Sequence, residues 1–335
     1  MTTAVLFHEL GGPEVLRLEE VDPGEPGPGE VRLRVEAIGL NRAEALFRSG
    51  RYIEPVRRFP ARLGTEAAGV IEAVGAGVSR LEPGQRVSTV PGFSQNDHGV
   101  YAERAVVPAA SVLGRPESVG AVEGAAVWMP YLTAYGALVE AGGMRAGDTV
   151  VLNAASSSVG LATLRLAGRL GATPIALTRT AAKREALLRE GAAEVIVTGE
   201  TSPGEVARRV REATGGRGAE LVFDAVAGPG VVDLARMVAP GGTLLVYGAL
   251  SGEPTPYPGI ELGLPALNMR SFTMLETARD PERLRRAAAF VTSGLLSGAF
   301  RAVVDRTFEL GEIVEAHRYL ESNAQVGKIV VTVPH

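Results

Sequence analysis

The sequence predicts an α/β protein in which a doubly wound parallel sheet follows a mainly β, barrel-like region. From residue 147 to residue 247, short apolar segments alternate with helical patterns, which is typical of parallel sheets. Up to about residue 120, short strands are separated by glycine turns, as in small β domains. A length of 335 residues exceeds what one compact core usually contains, so two domains are expected.

The composition excludes several classes of function. A net charge of −4 without long charged runs gives no support to nucleic-acid or membrane attraction. Because the chain has no cysteine, disulfides, thiolate metal sites and a catalytic thiol are excluded. The first residues lack the basic and apolar segments of a signal peptide, and the apolar stretch 125–139 is too short to span a membrane. We therefore expect a cytoplasmic protein.

The N-terminal region is predicted to consist of strands with one short helix. Residues 4–21 have the pattern of a hairpin that turns at Gly11-Gly12-Pro13. Residues 31–37 alternate apolar and polar side chains, as a half-buried strand does. Residues 41–50 are predicted to form a helix that ends at glycine, and residues 64–78, 83–87 and 101–107 are predicted to contain further strands.

The segment 147–183 is the centre of the predicted parallel sheet. Residues 149–154 have the apolar, β-branched pattern of a buried strand, a helical pattern ends at Gly171, and residues 175–178 form the next strand. Such a unit seats a dinucleotide pyrophosphate on the helix N-terminus. The turn keeps only the last glycine of the usual Gly-x-Gly-x-x-Gly pattern, although serine hydroxyls can bind phosphate. A tight turn in an ordinary α/β core is the alternative. The turn residues are Ala155, Ser156, Ser157, Ser158, Val159 and Gly160.

The end of the second strand of this unit indicates which dinucleotide is bound. An NAD site has Asp or Glu there to accept from the ribose 2′-hydroxyl. This chain has Thr178, followed by Arg179 and Lys183, where a hydroxyl and two cations would bind a 2′-phosphate. The alternative is ordinary positive charge on a solvated helix. Since only two residues of the chain are lysines, Lys183 and Lys328, the position is unusual, and NADPH is the predicted cofactor.

The rest of the chain continues the alternation of strands and helices. Strands are predicted at residues 194–197, 221–224, 243–247, 271–275, 303–308 and 328–333. Helices are predicted at residues 122–140, 181–190, 204–213, 230–238, 281–296 and 311–322.

Eight segments in the same order resemble the quinone oxidoreductase branch of the medium-chain dehydrogenase/reductase superfamily, over the whole chain. They are residues 11–16, 39–44, 64–69, 74–78, 84–87, 101–103, 155–160 and 325–330. The resemblance implies a Rossmann domain, residues 124–268, inserted in a barrel-like, mainly β (GroES-like) catalytic domain. That catalytic domain would comprise residues 1–123 and a returning segment, residues 269–335, with nicotinamide at the base of the cleft between the domains.

The resemblance also bears on metal. Thr65 stands where zinc-dependent relatives have a ligand histidine, and the first ligand cysteine would fall near Leu40 and Asn41. With no cysteine in the chain and its four histidines outside these motifs, no zinc is expected. Without metal, delivering hydride to a quinone or to the β-carbon of an α,β-unsaturated carbonyl is easier than oxidising an alcohol, whose hydroxyl must be strongly acidified.

Individual site residues follow from the resemblance. Tyr52 lines the substrate site in related reductases, where it either donates a proton or only shapes the pocket. Asn41 would touch nicotinamide or substrate, with a helix N-cap as the alternative. Lys328 would reach the cofactor, with a surface lysine at a strand end as the alternative. The remaining expected cofactor contacts are Thr133, Ala225, Val226, Tyr247, Gly248 and Ala249.

The predicted function is an NADPH-dependent quinone or enone reductase. Two alternatives stay open: an enoyl-thioester reductase, and an NADPH-binding protein with little turnover. The apolar segment 271–275 is predicted to be the last strand of the Rossmann sheet, and an open apolar edge invites pairing. By resemblance, two such edges would meet in a homodimer.

Overall fold

The computed structural model of the protein describes residues 1–259, 263–264 and 266–335. These residues form two compact units: unit 1 is Met1–Met129 with Ala278–His335, and unit 2 is Pro130–Thr277. The divisions lie a few residues later than the expected ones after residues 123 and 268. Residues 268–271 still belong to the parallel sheet, and Ala125 and Ala126 pack in a cluster with Ala37 and Val330 of unit 1.

The predicted strands and helices occur in the predicted order, and the structure adds two short strands, Ala61–Arg62 and Val112–Gly114, and the short helix Leu275–Ala278. The strands are β1 (Thr2–Phe7), β2 (Arg17–Val21), β3 (Glu30–Gly39), β4 (Ala61–Arg62), β5 (Ala67–Val74), β6 (Arg86–Thr89), β7 (Arg104–Pro108), β8 (Val112–Gly114), β9 (Thr149–Leu152), β10 (Thr173–Thr178), β11 (Glu194–Val197), β12 (Ala219–Asp224), β13 (Val238–Val246), β14 (Asn268–Ser271), β15 (Val304–Glu309) and β16 (Lys328–Thr332). The helices are α1 (Arg42–Arg48), α2 (Ala121–Gly124), α3 (Trp128–Ala134), α4 (Ser158–Leu170), α5 (Arg184–Arg189), α6 (Pro203–Ala213), α7 (Val231–Ala235), α8 (Leu275–Ala278), α9 (Pro281–Leu296) and α10 (Ile313–Ser322).

Unit 1 is the mainly β part. The strands β2, β1 and β4 form one antiparallel sheet, which confirms the hairpin predicted for residues 4–21. A larger sheet has the order β15-β16-β3-β5-β6-β8, with β7 also pairing with β3. The two sheets are separate, and an isolated bridge between Ala4 and Ala102 joins strand β1 to the segment before β7. The predicted term "barrel-like" therefore describes the unit only loosely. Val31, Leu33 and Val35 of β3 are fully buried, as the alternating pattern of residues 31–37 predicts.

Unit 2 is a doubly wound parallel sheet, as predicted. In the described residues its order is β11-β10-β9-β12-β13-β14, and each neighbouring pair is parallel. The chain runs outward in one direction from β9 to β11 and in the other from β12 to β14. The direction therefore reverses between β9 and β12, and ligands of such sheets bind at the carboxyl ends of the strands at this point.

The prediction of a last strand at residues 271–275 is wrong in position. The strand is β14, Asn268–Ser271, and Leu275 begins helix α8. The reason is a turn at Thr273, whose hydroxyl accepts from the Leu275 N–H while the Glu276 carboxylate accepts from the Thr273 N–H. Thr-x-x-Glu is the sequence signature of a helix start, and it takes precedence over the apolar character of the segment.

The helix predicted for residues 122–140 is also divided. Helix α2 ends at Gly124, α3 begins at Trp128, and Tyr135–Ala141 continues in wider, π-type turns. By contrast, α9 has the predicted bounds, Pro281–Leu296, and the Asp280 side chain caps its N-terminus. None of the helices in the described residues combines the length and apolar character needed to cross a membrane.

Candidate cofactor site and active site

The small-residue turn connects β9 to α4 in unit 2. The Ser157 hydroxyl accepts from the Gly160 N–H at 3.1 Å and caps the helix, so the N–H groups of Ser158 and Val159 have no acceptor within it. A Cβ on residue 160 would lie 2.3 Å from the Ala155 carbonyl oxygen, so only glycine fits there. The turn thus presents free donors at a helix N-terminus, which is the chemistry that binds a phosphate.

The end of β10 brings a cation beside this turn. The Lys183 ammonium donates to the Ser156 hydroxyl at 3.2 Å, although the two residues are 27 positions apart in sequence. Arg179 is exposed, and in the described residues its guanidinium has no hydrogen bond or ion pair. Thr178 is buried, and its hydroxyl is within 3.4 Å of the Thr180 carbonyl oxygen. Arg179 and Lys183 are therefore placed to serve an anion, whereas the Thr178 hydroxyl is directed to the backbone.

A buried carboxylate fixes the end of β12. Asp224 accepts from the Asn153 side-chain amide at 2.5 Å and from the Val226 and Ala227 N–H groups at 2.8 and 3.1 Å. The Asn153 side-chain oxygen accepts in turn from the Ala225 N–H at 2.8 Å. Residues 225–227 are thereby held in one conformation at the point where the sheet reverses direction.

The end of β13 packs against the same segment. A Cβ on Gly248 would lie 2.3 Å from the Ala225 carbonyl oxygen, so the two chain segments approach as closely as glycine permits. The Tyr247 ring stacks on Phe223 with 4.0 Å between centroids. Its hydroxyl is hydrogen-bonded to the Ser157 side chain, and burial raises the pKa of Tyr247. Within unit 2, the expected contacts at 155–160, 225–226 and 247–248 are thus directly connected.

For two other residues of unit 2 that were expected to contact the cofactor, the structure gives only their position and burial. Thr133 is buried within α3, and Ala249 is exposed just after β13.

In unit 1, Asn41 and Lys328 belong to one buried network. The Lys328 ammonium donates to the Asn41 side-chain oxygen and to the Glu66 carboxylate, at 2.6 Å each. The Asn41 amide donates to the Gly39 carbonyl and to Glu66, and Glu66 also accepts from the Met129 N–H at 2.9 Å. The alternative of a surface lysine at position 328 is wrong, because β16 lies between β15 and β3 and encloses the side chain.

A second buried carboxylate lies next to this network. Glu44 accepts from the Asn41 N–H at 2.6 Å, and its other oxygen is 3.4 Å from the Thr65 hydroxyl. Burial raises the pKa of Glu44 to about 7, and the Lys328 charge opposes that rise. Asn41 is the N-cap residue of helix α1, as the alternative for it proposed, and its side chain also binds Lys328 and Glu66.

Tyr52 is half-buried beside α1. Its ring meets Phe47 edge to face, with 6.3 Å between centroids, and in the described residues its hydroxyl has no hydrogen-bond partner. Burial first, and the Glu44 charge second, raise the pKa of Tyr52 to about 12. The phenol is therefore protonated at neutral pH and has a free O–H group. Both roles considered for Tyr52, proton donor and pocket wall, fit this environment.

Sequence reasoning missed four residues that organise these sites: Glu44, Glu66, Asn153 and Asp224. Two of them left a usable signal. Asn41 and Glu44 have the spacing of a helix-capping pair, and Asp224 ends a buried strand. The pairing of Glu66 with Lys328 spans 262 positions and leaves no local pattern.

Comparison with known proteins gives the chain's family. A model described as alcohol dehydrogenase GroES-like domain matches residues 27–117, and one described as zinc-binding dehydrogenase matches residues 190–331. The quinone oxidoreductase of Pseudomonas aeruginosa is 33% identical over 335 residues, which cover 99% of both chains. A 2-haloacrylate reductase of a Burkholderia species is 30% identical over 337 residues, again covering 99% of each.

A solved structure agrees with this result. Escherichia coli quinone oxidoreductase, determined in complex with NADPH, has a TM-score of 0.90 and 28% identity, covering 98% of this chain and 99% of that one. The expected resemblance is confirmed, and the chain belongs to the quinone oxidoreductase branch of the medium-chain dehydrogenase/reductase superfamily.

Proposed function

We propose that the protein is an NADPH-dependent reductase of quinones or α,β-unsaturated carbonyls that needs no metal. The main observation in support of NADPH is that the Lys183 ammonium lies against Ser156, in the turn between β9 and α4 that can bind a phosphate. Relatives named quinone oxidoreductase and 2-haloacrylate reductase support the substrate class. The second name also supports the reduction of a conjugated double bond.

The residues of unit 2 fit NADPH. The N-terminus of α4 offers backbone donors to a pyrophosphate, and Gly160 permits close approach of the chain. Arg179 and Lys183 offer charge to a 2′-phosphate, and no Asp or Glu follows β10 to repel it before Glu185. The chemistry that NADPH supplies when bound is hydride transfer to an electron-poor carbon.

The residues of unit 1 provide the proton and the fixed polar surroundings. Tyr52 is protonated at neutral pH and can donate its O–H to the product. Two of the three Lys328 protons are held by Asn41 and Glu66, so Lys328 fixes the orientation of the Asn41 amide. We propose that Asn41 and Lys328 serve nicotinamide or substrate through the groups this network leaves free.

The cofactor assignment is tested by affinity. The parent protein should prefer NADPH clearly over NADH, and Arg179→Ala and Lys183→Ala should reduce that preference, because charge-assisted bonds contribute about 1.5–3 kcal/mol each. Arg189→Ala, which removes an exposed arginine of helix α5, is the control. Equal affinity of the parent protein for both cofactors would refute the assignment.

The reaction is tested by following NADPH oxidation with quinones, short enones, 2-haloacrylates and an enoyl-thioester. Turnover of quinones or enones supports the proposal, and a strong preference for the thioester would favour the alternative of an enoyl-thioester reductase. Tight NADPH binding without any turnover would leave only a binding protein. If Tyr52 is the proton donor, Tyr52→Phe should lower kcat with an enone about 10²–10⁴-fold and leave NADPH affinity unchanged. If Tyr52 only shapes the pocket, the phenylalanine ring should retain most of kcat.

We also propose a homodimer. The structure of unit 2 leaves β14 at the edge of the described sheet, with Met269 and Arg270 half-buried. An edge strand with free backbone groups can pair with a second copy across a two-fold axis. Sedimentation that shows a monomer at every concentration would refute this.

A further inference from the structure

A pocket of about 330 Å³ lies in unit 1, on the small sheet β2-β1-β4. None of the residues proposed to serve NADPH or substrate lines it. Its lining consists of Leu6, Val21, Arg58, Phe59, Pro60 and Arg62.

The charges of this pocket are not balanced by the protein. Arg57, the neighbouring arginine, is bound by Glu54 and Asp97 at 2.9 Å each. By contrast, the side chains of Arg58 and Arg62 have no hydrogen bond, ion pair or ring contact within the described part of the chain. The two guanidiniums are close enough that the Arg58 charge, after burial, lowers the pKa of Arg62.

The state of Arg62 is unusual for this protein. Other half-buried arginines have an acceptor within the protein, as in Arg104 with Glu72 at 3.0 Å, Arg165 with Glu190 at 2.5 Å and Arg42 with the Asn323 side-chain oxygen at 2.5 Å. A half-buried guanidinium loses part of its hydration, and without an acceptor that loss is not offset. An oxyanion between Arg58 and Arg62 would supply acceptors and relieve the repulsion of the two charges.

The remaining walls are apolar. Leu6 is 5% exposed, whereas Phe59 leaves 45% of its surface in solvent. A pocket of this size fits a small molecule. Its apolar walls suit an apolar body, and its two cationic donors suit an anionic head group. We propose that the pocket binds a small organic oxyanion, with its carboxylate or phosphate on Arg58 and Arg62 and its apolar body against Phe59 and Pro60.

The test uses calorimetric titration of the protein saturated with NADPH, so that the cofactor's own anion site is filled. The probes are benzoate, phenyl phosphate, inorganic phosphate and benzyl alcohol. We expect saturable binding of benzoate or phenyl phosphate at one site per chain. Binding should weaken at least tenfold in Arg58→Gln and in Arg62→Gln. It should not change in Arg217→Gln, which removes an exposed guanidinium of unit 2.

Thermal unfolding distinguishes a variant that has lost the binding site from one that has failed to fold. Arg62→Gln removes an unpaired, half-buried charge, so its Tm should equal or exceed that of the parent protein. Benzoate should raise the Tm of the parent protein and of Arg217→Gln, but not that of Arg58→Gln or Arg62→Gln. Absence of saturable binding, or equal binding by the arginine variants, would overturn the proposal. Equally tight binding of inorganic phosphate would also overturn it, because the apolar body would then contribute nothing to affinity. Equally tight binding of benzyl alcohol would overturn it as well, because the anionic group would then contribute nothing. NADPH affinity, measured separately, should be the same in all variants, so failure of this site is distinguishable from failure of the proposed function.

Discussion

The substitution Glu44→Gln should change how the stability of unit 1 depends on pH. Glu44 is fully buried, and its pKa is raised from 4.5 to about 7, mainly by burial. Folding therefore favours the protonated form. The stability that this preference contributes is fully present below pH 4.5 and is lost as the pH rises through 7. A shift of this size corresponds to about 3 kcal/mol, at 1.36 kcal/mol for each pH unit.

His317 makes the stability of unit 1 depend on pH in the opposite direction to Glu44. It is fully buried, and burial together with the charges of Arg48 and Arg42 lowers its pKa from 6.5 to about 3. Its contribution is fully present above pH 6.5 and is lost as the pH falls toward 3, amounting to about 4–5 kcal/mol. Between pH 4.5 and 6.5 the two slopes nearly cancel in the parent protein. In Glu44→Gln only the His317 slope remains, so stability should rise by about 1.4 kcal/mol per pH unit.

Urea unfolding followed by fluorescence is the assay. Trp128, the one tryptophan of the chain, belongs to unit 1 and is 2% exposed, so its emission reports the unfolding of that unit. Relative to the parent protein, the urea midpoint of Glu44→Gln should gain about 1 M from pH 4.5 to pH 7, taking a slope m of about 3 kcal/mol/M. Glutamine retains an acceptor for the Asn41 N–H. Glu117→Gln, which removes an exposed carboxylate, should follow the parent. Midpoints of Glu44→Gln that run parallel to those of the parent would refute the reasoning.

Two further predictions concern single residues of the two candidate sites, and a third concerns metal. Lys328→Met should cost unit 1 about 3–5 kcal/mol in urea unfolding, because it leaves a buried carboxylate without its counter-charge, whereas Lys183→Met should not change the midpoint. Gly160→Ala places a Cβ 2.3 Å from the Ala155 carbonyl oxygen, so it should weaken NADPH binding at least tenfold in a fluorescence titration. Gly168→Ala in the same helix is the control and should not weaken binding, because its Cβ would meet nothing within 4 Å. Activity should survive prolonged dialysis against a strong chelator, and restoration of lost activity by added zinc would contradict metal independence.

Most of unit 2 could be predicted because its signals are local. A buried parallel strand is a continuous apolar run, and a helix that ends at glycine in the left-handed region, as α4 does at Gly171, is marked in the sequence. The order of the strands then follows from the alternation with helices. The exact end of the sheet could not be predicted from apolar character alone, since residues 271–275 contain both the last residue of β14 and the first residue of α8.

The candidate site was only partly predictable. For Lys183, the sequence indicated the ligand group it would bind but not the residue it contacts. Its charge and its distance from the turn indicated a 2′-phosphate, but its hydrogen bond to Ser156 depends on how the segment after β10 folds back. Glu66 and Lys328 mark the limit more clearly. Each is a single charged residue beside an apolar segment, and in sequence such a residue indicates a strand end at the surface. Only pairing across the sheet shows that both are enclosed.

The position of Lys328 in the chain has a consequence for how the candidate active-site network forms. Glu66, Asn41 and Glu44 belong to the first segment of unit 1, whereas their cation comes from β16, after the whole of unit 2. Before β16 pairs with β3, the first segment holds two carboxylates without this ammonium, and burying them would be costly. Enclosure of the network therefore requires the last strand, so the polar surroundings of Asn41 are set only when unit 1 is complete. The proposed catalytic role of Asn41 thus depends on residues at both ends of the sequence, and a local motif around Asn41 alone does not define it.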